Sequence, residues 1–205
     1  LKIKNYNIYM EQEIIIGVLI IIIGYLIYSI KNSGLVNAEF NGQVYMVQEH
    51  ADKMKAVDLL IKLKDNLTII AQKSLDKAKK ENNKDYIEYI SIILDKLTTV
   101  FIREVEKDSP YTSYSVNKGE ELVFCLRNKD TFEFYDYNKI LYVAVHEIAH
   151  IGCPEIGHTK LFFELNKYLL EVAKDNDMYS YNDYNSKPEE YCGIQIYTNV
   201  LNYKF

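Results

Sequence analysis

His146-Glu147-Ile148-Ala149-His150 places two imidazoles and a carboxyl within five residues. On an α-helix His150 lies about 40° around from His146 and one turn along, so both rings can reach one metal ion. Glu147 lies about 60° from His150 on the same side, near enough to hold a water beside such an ion without ligating it. Those are the parts needed for metal-assisted hydrolysis, in which a Lewis acid activates water and a carboxylate takes its proton. The pattern is specific. With 4 His in 205 residues and the Glu content of the chain, about 0.006 chance matches are expected. Three of the 4 histidines (His146, His150 and His158) also fall within thirteen residues.

Catalytic zinc sites generally use three protein ligands, so two histidines leave one missing. His158 is the first candidate, because Gly152, Pro154 and Gly157 let the chain turn back toward the HExxH face. The carboxylate alternatives are Glu164, Glu171, Glu189 and Glu190. In the tail, Tyr191 is a candidate donor to the oxyanion of a tetrahedral intermediate, and Cys192 a candidate thiolate ligand. The competing expectation is that this segment only packs the C-terminus against the core.

These groups need rigid supports. The spacing predicts a helix across the motif, capped at Asp136 or Asn138 and stopped by Gly152 and Cys153-Pro154. Ile140, Leu141, Ala144, Val145, Ile148 and Ile151 occupy its opposite arc, which assigns one face to packing and the other to chemistry. A second helix is expected from Lys160 to Lys174, N-capped by Thr159, with Leu161, Leu165, Tyr168, Leu169 and Val172 as its apolar stripe. Glu164 and Glu171 would then face solvent. Upstream, Leu122 to Arg127 reads as a strand, taken here as an edge on which an extended substrate could pair, and Thr131 to Tyr135 as a shorter one. Residues 44–108 read as a helical part, with a turn at Glu81-Asn82-Asn83 and an end at Asp108-Ser109-Pro110.

Residues 31–43 read as a polar linker. Before it, Ile14 to Ile30 is seventeen residues without a charge, roughly 25 Å of helix and at the short end for spanning hydrocarbon. A retained transmembrane helix is expected, preceded by an extension over residues 1–13 in which Met10 is a candidate start. The alternatives are a core helix or a signal peptide cleaved near Val36-Asn37-Ala38, against which acidic Glu11 and Glu13 argue. Lys31, Lys53 and Lys55 after the span place the C-terminal body on the cytoplasmic side. Three cysteines, Cys125, Cys153 and Cys192, fit a reducing compartment better than a disulfide framework.

The stretches HEIAH, CPEIGHTKLFFELNKYLLEVA and KPEEYCGIQI resemble the WLM-type (SprT-like) zinc metalloproteases, especially the versions encoded by large DNA viruses. The resemblance covers about residues 120–201. It implies Zn2+ held by His146, His150 and His158, with Glu147 as general base. The departure is the loop: His158 follows His150 by eight residues, where the family's extended motif has six. WLM and SprT-like relatives include proteases acting on DNA–protein crosslinks. A net charge of -5 argues against nucleic acid as the main partner, because phosphate binding needs a basic surface.

The combined expectation is an α+β, zincin-like domain over residues 44–205, with the HExxH helix, a small sheet and a helical part, behind the transmembrane helix. Its expected function is a membrane-anchored zinc metallopeptidase acting on a protein or peptide substrate, with the virion as a candidate location. Two other readings compete: a membrane-tethered interaction protein with a structural zinc site, and a DNA-associated protease. Glu147 favours the enzyme, since a structural zinc site needs no carboxylate beside its first histidine.

Overall fold

The computed structural model describes residues 14–25 and 33–204. Helix α1 spans residues 14–25; residues 26–30 of the expected span lie outside the described residues. The twelve described residues account for about 18 Å of helix, against a hydrocarbon core of about 30 Å. Among the described residues no helix is long and apolar enough to cross a membrane. The expected transmembrane helix over 14–30 and the single-pass localisation built on it are therefore corrected.

The supposed linker is largely a β-hairpin. Strands β1 (Leu35–Phe40) and β2 (Gln43–Gln48) pair antiparallel, with Phe40 opposite Gln43. Asn41 and Gly42 between them have φ of 49° and 75°. A two-residue loop with both φ values positive is the turn that matches strand twist, and Asn-Gly is its preferred sequence. Helix therefore begins at Lys53 and not at Val44.

Two helices follow, α2 (Lys53–Lys80) and α3 (Lys84–Thr99), separated at the expected turn. Leu60, Leu63, Leu67, Ile70 and Ser74 recur along α2 at three- and four-residue steps and are fully buried, as one face of a helix packed in a core requires. Asn83 caps α3 by accepting the N–H of Tyr86.

The sheet has three strands: β3 (Phe101–Glu104), β4 (Tyr114–Val116) and β5 (Glu121–Phe124), in the order β3-β5-β4. β5 lies parallel to β3 and antiparallel to β4. The strand expected to serve as an edge is thus central, with both its edges paired, and β3 and β4 are the edge strands. Residues 131–135 form no strand beyond one bridge, Phe134 to Arg127.

A charge cluster, buried at Arg127 and Glu104, ties the hairpin to this sheet. Arg127 pairs with Glu104 (3.2 Å) and Asp52 (2.9 Å), and Glu104 also accepts the N–H of Gln48 at 2.8 Å. The guanidinium covers the Phe134 ring at 3.8 Å.

Helices α4 (Tyr137–Gly152) and α5 (Lys160–Asp175) carry the site. Asp136 caps α4 by accepting from Asn138, and Thr159 caps α5 by accepting from Phe162. Gly152 matters for a reason its sequence context does not disclose. A Cβ there would lie 2.7 Å from the Tyr89 carbonyl oxygen and 2.8 Å from Ile93, so its absence lets the end of α4 touch α3. Ala is the better helix former, but the clash with backbone cannot be relieved by a rotamer change. Gly152→Ala should destabilise the fold by about 1–3 kcal/mol and lower the melting temperature by several degrees. An unchanged or raised melting temperature would show that α3 and α4 do not approach this closely. The chain closes with β6 (Glu189–Tyr191), β7 (Ile194–Ile196) and a short 3-10 turn at Val200–Asn202.

Candidate metal centre

Helix α4 buries Ile140, Leu141, Ala144, Val145, Ile148 and Ile151 and leaves His146 and His150 on its cleft side. After Gly152 the chain turns through residues 153–158, with Gly157 at φ 85°, and delivers His158 to the same point. The three Nε2 atoms lie 3.2 Å (His146–His150), 3.1 Å (His150–His158) and 3.0 Å (His158–His146) apart. A tetrahedral ion with Zn–N bonds of about 2.0–2.1 Å would set its nitrogen ligands roughly 3.3 Å apart. The donor set therefore fits zinc, and the eight-residue interval brings the third ring into place. Among the described residues this is the grouping of His, Cys, Asp or Glu side chains that could hold a metal ion.

Electrostatics keep two of these rings in their ligand form. Burial, then the neighbouring His150 and His158, pushes His146 down to about 3. Burial, His158 and Lys118 push His150 down to about 4. Both are neutral near pH 7, with a lone pair to donate. Phe162 is the floor beneath them. Fully buried at the start of α5, it stacks on His150 at 4.1 Å between centroids and meets His146 and His158 edge-on at 4.8 and 4.9 Å. The sequence shows it as an early aromatic of the helix that follows the motif, and the crossing of α4 and α5 sets which rings it meets.

Glu147 faces the same cleft and is 7% exposed. Burial lifts its carboxyl to about 8, opposed by a hydrogen bond from the Ser115 backbone N–H. Ser115 belongs to β4, so the free side of the edge strand borders the general-base candidate. Cavities open on both sides of Glu147. One of about 440 Å³ has Tyr142, Val143, Phe163, Tyr191 and Tyr203 in its walls. The other, about 610 Å³, is bounded by Ser115, Lys118, His150, Glu155 and Ile156. His146 and Glu147 line both.

The carboxylate alternatives are occupied elsewhere. Glu190 accepts from Asn128, Tyr135 and the Gly193 N–H, and Glu189 pairs with Lys139. Glu164 pairs with Lys160 on the outer face of α5, and Glu171 is outside the His grouping. Tyr191 lines the cleft, but its hydroxyl is committed to a closed ring. It donates to the Cys125 carbonyl at 2.8 Å and bonds Ser113 Oγ at 2.7 Å, while Ser113 Oγ accepts the Cys125 N–H at 3.1 Å. With its proton spent on Cys125, it offers none to an oxyanion.

Cys192 is not a metal ligand either: it forms a disulfide with Cys125, and Cys153 is free and buried. The inference of a reducing compartment from an odd cysteine count loses its basis. The bond fastens the β6–β7 hairpin, one wall of the cleft, to the end of β5. Closing a loop over a separation of 67 residues is worth about 4 kcal/mol in the chain-entropy account.

The WLM domain family model matches residues 108–200, which hold β4, β5, α4, the three histidines and α5. An uncharacterized protein of Acanthamoeba polyphaga mimivirus is 33% identical over 174 residues, 83% of this chain and 86% of its own length. This chain belongs to the WLM family. A second uncharacterized protein, from Invertebrate iridescent virus 6, is 33% identical over 93 residues, covering 43% of this chain and 49% of that protein. The expected resemblance to proteins of large DNA viruses is thereby met. Among solved structures, Wss1 from S. pombe and from Saccharomyces cerevisiae each match at 21% identity with a TM-score of 0.41. They cover 62% and 64% of this chain, and 92% and 89% of their own.

Proposed function

We propose that this protein is a zinc-dependent peptidase that cleaves protein or peptide substrates. One observation carries the reading: three imidazole Nε2 atoms converge within 3.2 Å of one another in an open cleft, with a buried carboxyl on the same helix. Zinc bound there supplies Lewis acidity, polarising a peptide carbonyl and making water acidic enough to react at neutral pH. Glu147 takes the proton of the attacking water and passes it to the leaving amine. The apolar floor of Phe162 and the burial of Glu147 keep competing water away from that transfer. β4, the strand whose free side borders Glu147, positions an extended peptide by backbone hydrogen bonds, with side chains of the substrate entering the two cavities.

A structural zinc site would be closed by four protein ligands; His158 is instead exposed, and the cleft leaves a place beside the three histidines. The cavity walls carry Lys118 against Glu147 and Glu155. That balance favours a polypeptide over a nucleic-acid-bound substrate, which would call for a basic cleft.

The test is metal removal. The zinc-loaded protein should cleave an unfolded protein substrate, lose that activity on dialysis against a chelator, and recover it with one equivalent of zinc. Tight binding of one zinc without cleavage of any of a broad set of unfolded proteins and peptides would leave a metal-binding protein and end the peptidase reading.

A further inference from the structure

Helix α5 buries Phe162, Leu165, Tyr168, Leu169, Leu170, Val172 and Ala173, and among them one carboxamide, Asn166. Asn166 is 2% exposed. A leucine there would serve packing and helix propensity better, because a buried amide costs free energy unless it is hydrogen-bonded. Its surroundings are specific. Nδ2 lies 3.4 Å from Nδ1 of His146, and Oδ1 is buried with no hydrogen-bond partner.

This arrangement conflicts with metal binding as it stands. His146 directs Nε2 at His150 and His158, so Nε2 must carry the lone pair if a metal is bound there. An imidazole that ligates a metal through Nε2 is neutral, so its one proton then sits on Nδ1. A donor on Nδ1 faces a donor on Nδ2. Turning the carboxamide over resolves this, since its two ends have nearly the same shape and the exchange leaves packing intact. Oδ1 then accepts from Nδ1–H, and no hydrogen bond to Oδ1 is broken by the exchange, since it had none where it lay before.

We infer that Asn166 is a positioning residue for the metal centre: its Oδ1 accepts the Nδ1–H of His146 and holds that ring in the tautomer that turns the Nε2 lone pair toward zinc. Phe162, one turn earlier on the same helix, fixes the ring plane by its edge-on contact, and Asn166 fixes where the proton lies. Partners of this kind on ligand histidines set ring orientation and raise ligand basicity, and their loss costs roughly 10–100-fold in metal affinity.

The inference rests on zinc occupying the triad, and its test needs no substrate. Zinc affinity of the whole chain would be measured by competition with a chromophoric chelator, for the parent, Asn166→Leu and Asn166→Asp. Leu keeps the volume and removes the acceptor; Asp keeps an acceptor oxygen and cannot donate. The expected result is affinity weakened roughly 10–100-fold in Asn166→Leu and equal or tighter in Asn166→Asp. Melting of the zinc-free proteins checks that both variants fold. Parent-like affinity in Asn166→Leu, or equal weakening in the two variants, would overturn the inference.

A second measurement covers the case in which Asn166→Leu does not fold. In the zinc-loaded parent the His146 Nδ1–H proton should be seen by NMR as a slowly exchanging downfield resonance, displaced further downfield in Asn166→Asp. A proton absent from Nδ1, or a resonance indifferent to Asp, would also overturn it. Absence of peptidase activity with this affinity pattern intact would count against the proposed function alone.

Discussion

Glu147→Gln should keep one zinc per chain and the parent fold while peptide hydrolysis falls by about 10²–10⁴-fold, the usual contribution of a positioned general base. The substitution is isosteric at a site that is 7% exposed, and Gln retains an oxygen to accept the Ser115 N–H that Glu147 now holds. It also replaces a group that burial already drives toward its neutral form, so the cavity should tolerate it. What disappears is the ability to take a proton from water and return it to the leaving amine. Activity, zinc content and melting temperature would be measured on one preparation. Cleavage at the parent rate would remove Glu147 from the mechanism. Loss of zinc along with activity would make it a metal ligand or a structural support.

His158→Ala is expected to have the largest effect on the metal. His158 is the exposed member of the triad, packed on Phe162 and Phe163 and turned with His146 and His150 onto one point. Losing one of three nitrogen ligands should weaken zinc by more than the roughly 10–100-fold that a supporting hydrogen bond is worth. Bound metal also stabilises the folded state, by about 2.7 kcal/mol at a free concentration 100 times Kd. The melting-temperature gap between zinc-loaded and chelator-treated protein should therefore collapse. His50→Ala is the control, since His50 packs on Phe132 and bonds Gln48, remote from the triad. Glu190→Ala should keep zinc, because its carboxylate serves Asn128, Tyr135 and Gly193. Elemental analysis after dialysis against a mild chelator decides. Zinc retained by His158→Ala and lost by Glu190→Ala would replace a histidine with a glutamate in the ligand set.

The features legible in the chain itself are those that short-range contacts determine. α4 and α5 end where their caps and breakers stand, because helix hydrogen bonds and capping span only three or four residues. The HExxH spacing places His146, Glu147 and His150 on one face by helix geometry alone, and His158 is close enough in sequence for a turn to return it. The Asn41-Gly42 hairpin was equally local, and the polar composition around it concealed a plain signal. The apolar run from Ile14 reports hydrophobicity but not helix length, and among the described residues no helix is long and apolar enough for the span that composition suggested.

Tertiary structure decided what depends on partners distant in sequence. β5 is central and β4 is an edge because of pairings that no periodicity encodes. Cys125 and Cys192 meet across 67 residues; the same closure seats Tyr191 with its hydroxyl spent on Cys125 and builds one wall of the cleft. Gly152 reads as a helix stop, yet it is required by the approach of α3. Phe162 and Asn166 look like members of an apolar helix until the crossing of α4 and α5 sets one beneath the histidines and the other beside Nδ1 of His146. Helical periodicity tells which side of a helix is buried, but which atom a buried side chain faces is set by the packing of the neighbouring element.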